Sequence, residues 1–193
     1  PASGMGFQLE FGDNHRLIGN LARNAFRGFT AVNVNPTRGL QLIDNVAISN
    51  NTGFHLISEE KLVVRRNIAI GNDVGFAING SGHTLSENSA VGNRNYGIWI
   101  QHIADGLPVS VTRNNIFGNN NVPLEGHVNC GILNDTNAVV QATKNFWGAP
   151  TGPGADPADD ACETAGGQII HTPFAETQFP LGRKWGLSQS KTM

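Results

Sequence analysis

His55, Ala77 and Trp99 fall at intervals of 22 residues, and Asn79 and Gln101 keep the same interval two places further on. If that spacing is structural, one tryptophan, one histidine and two amides share a surface. An indole presents a flat apolar face on which a sugar ring stacks, while amides and imidazoles bond its hydroxyls. The strip formed by His55, Asn79, Trp99 and Gln101 therefore reads as a carbohydrate-binding surface. Packing of Trp99 beneath the loop 103–108 is the alternative reading.

Other reactive residues do not converge in this way. His102 and Asp105 form either an acid–base pair or a solvated loop. Asp156, Asp159 and Asp160 carry the oxygen ligands that calcium takes, or else make a soluble acidic turn. His15, His83, His127 and His171 stand in unrelated contexts and suggest no shared metal. Cys130 and Cys162 are too far apart for a Cys-x-x-Cys motif, and a four-ligand zinc site lacks ligands. A bond between them would add about 2–4 kcal/mol by closing a long loop. Two thiols in a reducing compartment are the other possibility.

The elements that position these residues are written in a repeat. Gly6-Phe7, Gly28-Phe29, Gly53-Phe54, Gly75-Phe76, Gly97-Ile98 and Gly131-Ile132 open similar segments, at intervals of 22, 25, 22, 22 and 34. The last interval carries an insertion around residues 122–129. A second series, led by Asn20, Asn45, Asn67, Asn88, Asn114 and Asn145, runs in step with the first. Its clearest members are Asn45-Val46-Ala47-Ile48-Ser49-Asn50 and Asn67-Ile68-Ala69-Ile70-Gly71-Asn72. Three places before each leading Asn stands an apolar residue, from Leu17 and Leu42 to Ala142. A unit of about 22 residues holds three short strands and their turns, so the expected fold is all-β, a parallel solenoid of about six coils. The leucine-rich frame that fits the same period is absent.

Inward amides at one place in every coil can bond along the axis as a ladder. Tolerance of left-handed turn geometry is the competing reason for asparagine there. The residues just before the leading Asn, Asp44, Arg66, Glu87, Arg113 and Lys144, predict a stacked charge ladder; an arginine that binds substrate is the sharper alternative.

Composition narrows the partners. Charged residues are 15% of the chain and the net charge is −2, so no basic field points to nucleic acid. No apolar run approaches a membrane span, and the first residues lack the pattern of a signal peptide. Residues 1–147 are expected to form the coils. Residues 148–182, interrupted by Pro150, Pro153 and Pro157, should cap their end, because proline cannot donate to a ladder. Residues 183–193 read as a tail. No cap is visible on the first coil, which predicts an upstream portion or an edge-to-edge partner there.

These repeats resemble the right-handed parallel β-helix proteins of the pectin-lyase-like superfamily. That group includes pectate lyases, polygalacturonases, alginate epimerases, phage tailspikes and the periplasmic copper-related NosD proteins. The Asn145-Phe146-Trp147-Gly148 ending is similar to that of secreted bacterial members. The resemblance implies export, to the periplasm, the cell surface or the medium. For lyases of the group it implies acidic residues around calcium with an Arg or Lys base, and for hydrolases two or three neighbouring carboxylates. The strip carries no such pair: Glu10 and Asp135 fall five coils apart, about 24 Å. The expectation is a polysaccharide-binding or scaffold protein without a catalytic set or required cofactor. The catalytic coils of a lyase or hydrolase lying upstream, or a subunit of an extracellular assembly, are the alternatives.

Overall fold

A computed structural model describes residues 4–10, 14–33, 39–58, 61–103, 107–119 and 128–181. Among them the chain winds into a parallel β-helix with three faces and no α-helix. The first sheet stacks Met5–Leu9, Arg27–Asn33, Thr52–Ser58, Val74–Asn79, Tyr96–His102, Cys130–Asn134 and Asp160–Glu163. The second stacks seven short strands from Arg16–Ile18 to Gln168–Ile170. The third stacks five, from Leu21–Arg23 to Asn115–Phe117. The solenoid thus continues beyond residue 147, with one further strand on each of the first two sheets. The tail at 183–193 and most of the insertion at 122–129 lie outside the described residues.

Alternation along each strand of the first sheet decides what enters the core. The large residue after each repeat glycine points inward, so Phe7, Phe29, Phe54 and Phe76 form one column of nearly parallel rings. Their centroids are 5.0, 4.8 and 4.7 Å apart, the rise of one coil. The glycines themselves serve close approach. A Cβ on Gly53 would stand 2.7 Å from the carbonyl oxygen of Gly75 and 3.2 Å from the Cβ of Ala47. The corner between the third and first sheets therefore admits glycine on one side and alanine (Ala22, Ala47, Ala69, Ala90) on the other.

Two asparagine ladders line the bends. In the first, Asn20, Asn45, Asn67, Asn88, Asn114 and Asn145 stack, and each Oδ1 accepts both the backbone N–H and the Nδ2 of the preceding rung. Asn67 Nδ2 also donates to the Leu42 carbonyl at 2.7 Å. The bend thereby satisfies backbone groups that would otherwise be buried without partners, at about 1–3 kcal/mol each. The second ladder runs through Asn50, Asn72, Asn93 and Asn119. The left-handed residue at each bend is the one before the asparagine: Asp44, Arg66 and Glu87 have φ of 56°, 55° and 56°. Amide stacking, not tolerance of that geometry, therefore selects asparagine.

The expected charge ladder holds at one step. Arg66 bonds Asp44 at 2.8 and 2.9 Å, but Glu87 takes Arg65 instead, at 3.0 Å. Arg65 ends its strand directly beside Ser86 in the register, and its long side chain reaches the next turn residue first. Such solvated pairs contribute a few tenths of a kcal/mol.

At the far end, Cys130 and Cys162 are joined, bridging the last two strands of the first sheet. Residues 171–181 then cross the third face. Lys144 N donates to the Pro173 carbonyl and Ala175 N to the Asn145 carbonyl. Asn115 and Phe179 exchange two hydrogen bonds, at 3.0 and 2.9 Å. At the near end, Met5, Ile18, Leu21 and Phe26 of the first coil are exposed.

Candidate functional site

The outward position two places after the repeat glycine keeps its phase through the whole first sheet. Gln8, Thr30, His55, Ala77, Trp99 and Leu133 are direct neighbours in the strand register. His55 and Trp99 flank Ala77, about 10 Å apart at two coil spacings. Although this row faces away from the core, Thr30, His55, Ala77 and Leu133 are buried.

His55 is 9% exposed and its Nδ1 has no hydrogen-bond partner. Burial first, and then the positive charge of Arg27, push its pKa down to about 4, so the ring is neutral near neutral pH. Trp99 is half-buried. Its indole lies 5.5 Å from the Tyr96 ring and packs beside Leu133 and the Cys130–Cys162 bridge. Its Nε1 is buried and also lacks a partner. Two ring nitrogens with unmet hydrogen-bonding capacity thus share one face.

Asn79 and Gln101 are both half-buried. A bulge after Ile100 places His102, not Gln101, opposite Asn79. The two amides therefore do not stand on adjacent rungs of one row, as a constant interval of 22 implies.

The remaining sequence candidates disperse. Gln8 donates to Glu10 at the first coil, and Thr164 donates to Asp135 at the far end, at 2.7 Å. Asp105 and His127 lie outside the described residues. Asp156 is exposed, Asp160 accepts from Ala161 N, and Asp159 is 1% exposed. The three do not form the solvated acidic turn or calcium cage suggested by their spacing, because Asp159 turns inward. It accepts the backbone N–H and the Nδ2 of Asn119, ending the second ladder. Among the described residues, no three of His, Cys, Asp and Glu gather as metal ligands. His83 Nδ1 accepts from Leu62 N, a structural bond.

The sequence reading missed both Asp159 as a rung and the second ladder. The signal for the ladder was present, since the second Asn recurs in each phrase. The signal for Asp159 was not, because it arrives after a loop that breaks the period.

A parallel β-helix with a polar, partly aromatic outer row defines the class. The family model described as periplasmic copper-binding protein (NosD) matches residues 2–152, and the chain belongs to that family. The family is periplasmic, which agrees with an exported β-helix protein. No curated protein and no solved structure matches the chain.

Proposed function

We propose that this periplasmic β-helix protein binds carbohydrate on the outer face of its first sheet, around His55 and Trp99. The observation that carries the reading is the pair of buried, unpartnered ring nitrogens on that face. An unmet buried hydrogen bond costs about 1–3 kcal/mol, which a ligand hydroxyl would recover once the side chains covering the two nitrogens are displaced. In this reading Asn79, two places along its strand from Ala77, would bond a further hydroxyl, while Gln101 is carried out of register with it by the bulge after Ile100. Among the described residues that face brings together no pair of carboxylates, and the proposal is binding without turnover.

The family description names copper. Copper sites are built from thiolate, thioether and imidazole donors that converge. Here the two sulfurs of Cys130 and Cys162 are consumed by their bond, and among the described residues no three of His, Cys, Asp and Glu gather. The described donor set does not fit a copper centre, and copper has no part in this reading.

The test is retention of the full chain on immobilised pectin, alginate and neutral glucans. Trp99→Phe keeps a ring against the disulfide but removes the N–H, and His55→Gln removes the imidazole. Each should weaken retention while leaving thermal unfolding close to wild type. Retention unchanged in both variants would put the binding face elsewhere. Unsaturated products or new reducing ends, formed by this chain alone, would overturn the non-catalytic part.

A second reading, assembly through the first coil, is favoured by one observation. Met5, Ile18, Leu21 and Phe26 are each more than two-fifths exposed, and exposed apolar side chains that cluster invite pairing with a second copy. Light scattering of wild type and Leu21→Lys would reveal it as a mass reduced in the variant.

A further inference from the structure

The second ladder does not end as it is built. Each rung from Asn72 to Asn119 has an Oδ1 that accepts two N–H bonds from the coil before it. Each has an Nδ2 that donates back to a carbonyl: Asn72 to Ala47, Asn93 to Ala69 and Asn119 to Ala90. Asp159 fills the next place. It accepts from Asn119 as an asparagine would, but an ionised carboxylate has nothing to donate. It is 1% exposed, and among the described residues no lysine or arginine pairs with it. The charged group that acts on it is Asp156, of the same sign.

A buried carboxylate without a counter-ion is costly, whereas the neutral acid is isosteric with the amide it replaces. Asp159 also stands immediately before the C-terminal strands. Asp159 N donates to the Trp147 carbonyl, and the next residue begins the last strand of the first sheet. That strand and Gln168–Ile170 are the final rungs of their sheets.

We infer that protonated Asp159 is a latch that holds the C-terminal strands, Asp160–Glu163 and Gln168–Ile170, on the solenoid, and that loss of its proton loosens them. Burial, reinforced by Asp156 and opposed by the Asn119 and Gly118 hydrogen bonds, pushes the carboxyl up to about 7. The closed segment keeps the proton while the open one releases it near the ordinary carboxylate range. Opening therefore becomes easier as pH rises from about 4 to about 7, roughly tenfold per unit, and levels off above that.

Hydrogen exchange of the full, disulfide-intact chain tests the latch, with peptides covering residues 160–170 compared at pH 5 and pH 8 after correction for intrinsic rates. Wild type should lose about a hundredfold in protection. Asp159→Asn, which extends the ladder, should keep equal protection at both pH values. Asp156→Asn should retain the change with its midpoint moved lower. Carbon-13 titration of the Asp159 carboxyl in wild type gives a readout that needs no variant, and a midpoint near neutrality is expected. Wild-type protection that does not change with pH, an Asp159→Asn chain that keeps the change, or a midpoint in the ordinary carboxylate range would each overturn the inference.

Discussion

Asn119 gives both its backbone N–H and its side-chain Nδ2 to the carboxyl oxygens of Asp159, where each earlier rung gives the same two bonds to an asparagine. One relationship thus joins the repetitive part of the chain to the part that breaks the repeat. It also shows how the solenoid ends, with an acceptor that terminates the ladder instead of passing it on.

The first ladder sets the expected cost of breaking a rung. Asn67 Oδ1 accepts two bonds from Asn45, and Asn67 Nδ2 donates to Asn88 Oδ1 and the Leu42 carbonyl. Leucine at 67 or 88 strands several buried groups at once, so each variant should lose more than about 1 kcal/mol. Urea unfolding measures this, and unchanged midpoints in both variants would contradict a buried stack.

Gly53→Ala should be worse than a surface glycine change. The added Cβ meets the Gly75 carbonyl at 2.7 Å and Asn72 Nδ2 at 3.1 Å, neither of which can move without breaking the coil register or the second ladder. A loss of about 1–3 kcal/mol is expected from overpacking. Gly71→Ala, where a Cβ meets nothing but φ is 60°, should cost about 1 kcal/mol through backbone strain alone. Thermal melts of the two variants side by side should rank them in that order.

His55 makes the protein sensitive to acid. Its folded pKa of about 4 lies below the ordinary 6.5, so the unfolded chain binds a proton that the native state refuses. Stability is intact above about pH 6.5 and falls as pH drops towards 4. The full difference is about 3 kcal/mol at most. His55→Gln should flatten that acid limb in melts recorded between pH 7 and 4. A wild-type limb of the same slope in the variant would assign the loss to other groups.

The Cys130–Cys162 bridge closes a loop of 32 residues, for which chain entropy gives roughly 2–4 kcal/mol. Non-reducing peptide mapping of exported protein should recover the two cysteines joined. Because Trp99 packs on the bridge, reduction should change its fluorescence before the solenoid unfolds. Intact emission after complete reduction would separate Trp99 from the disulfide.

The sequence by itself determined the solenoid, its period, the recurring asparagine series, and the shared interval of His55, Ala77 and Trp99. Each coil repeats the surroundings of the one below, so a local choice recurs at a fixed interval and can be read as a pattern. Tertiary structure decided what happens where that interval breaks. The bulge after Ile100 exchanged His102 for Gln101 beside Asn79, and Arg65 rather than Arg66 reached Glu87. Asp159 came out of a proline-rich loop to stand as an amide's substitute, and Cys162 came round beneath Trp99. These contacts join residues whose separations follow no period, and their energies depend on burial that no single coil specifies. That is why the frame could be read from the chain, while the place of Asp159 in the second ladder and the burial of the outward row needed the folded molecule.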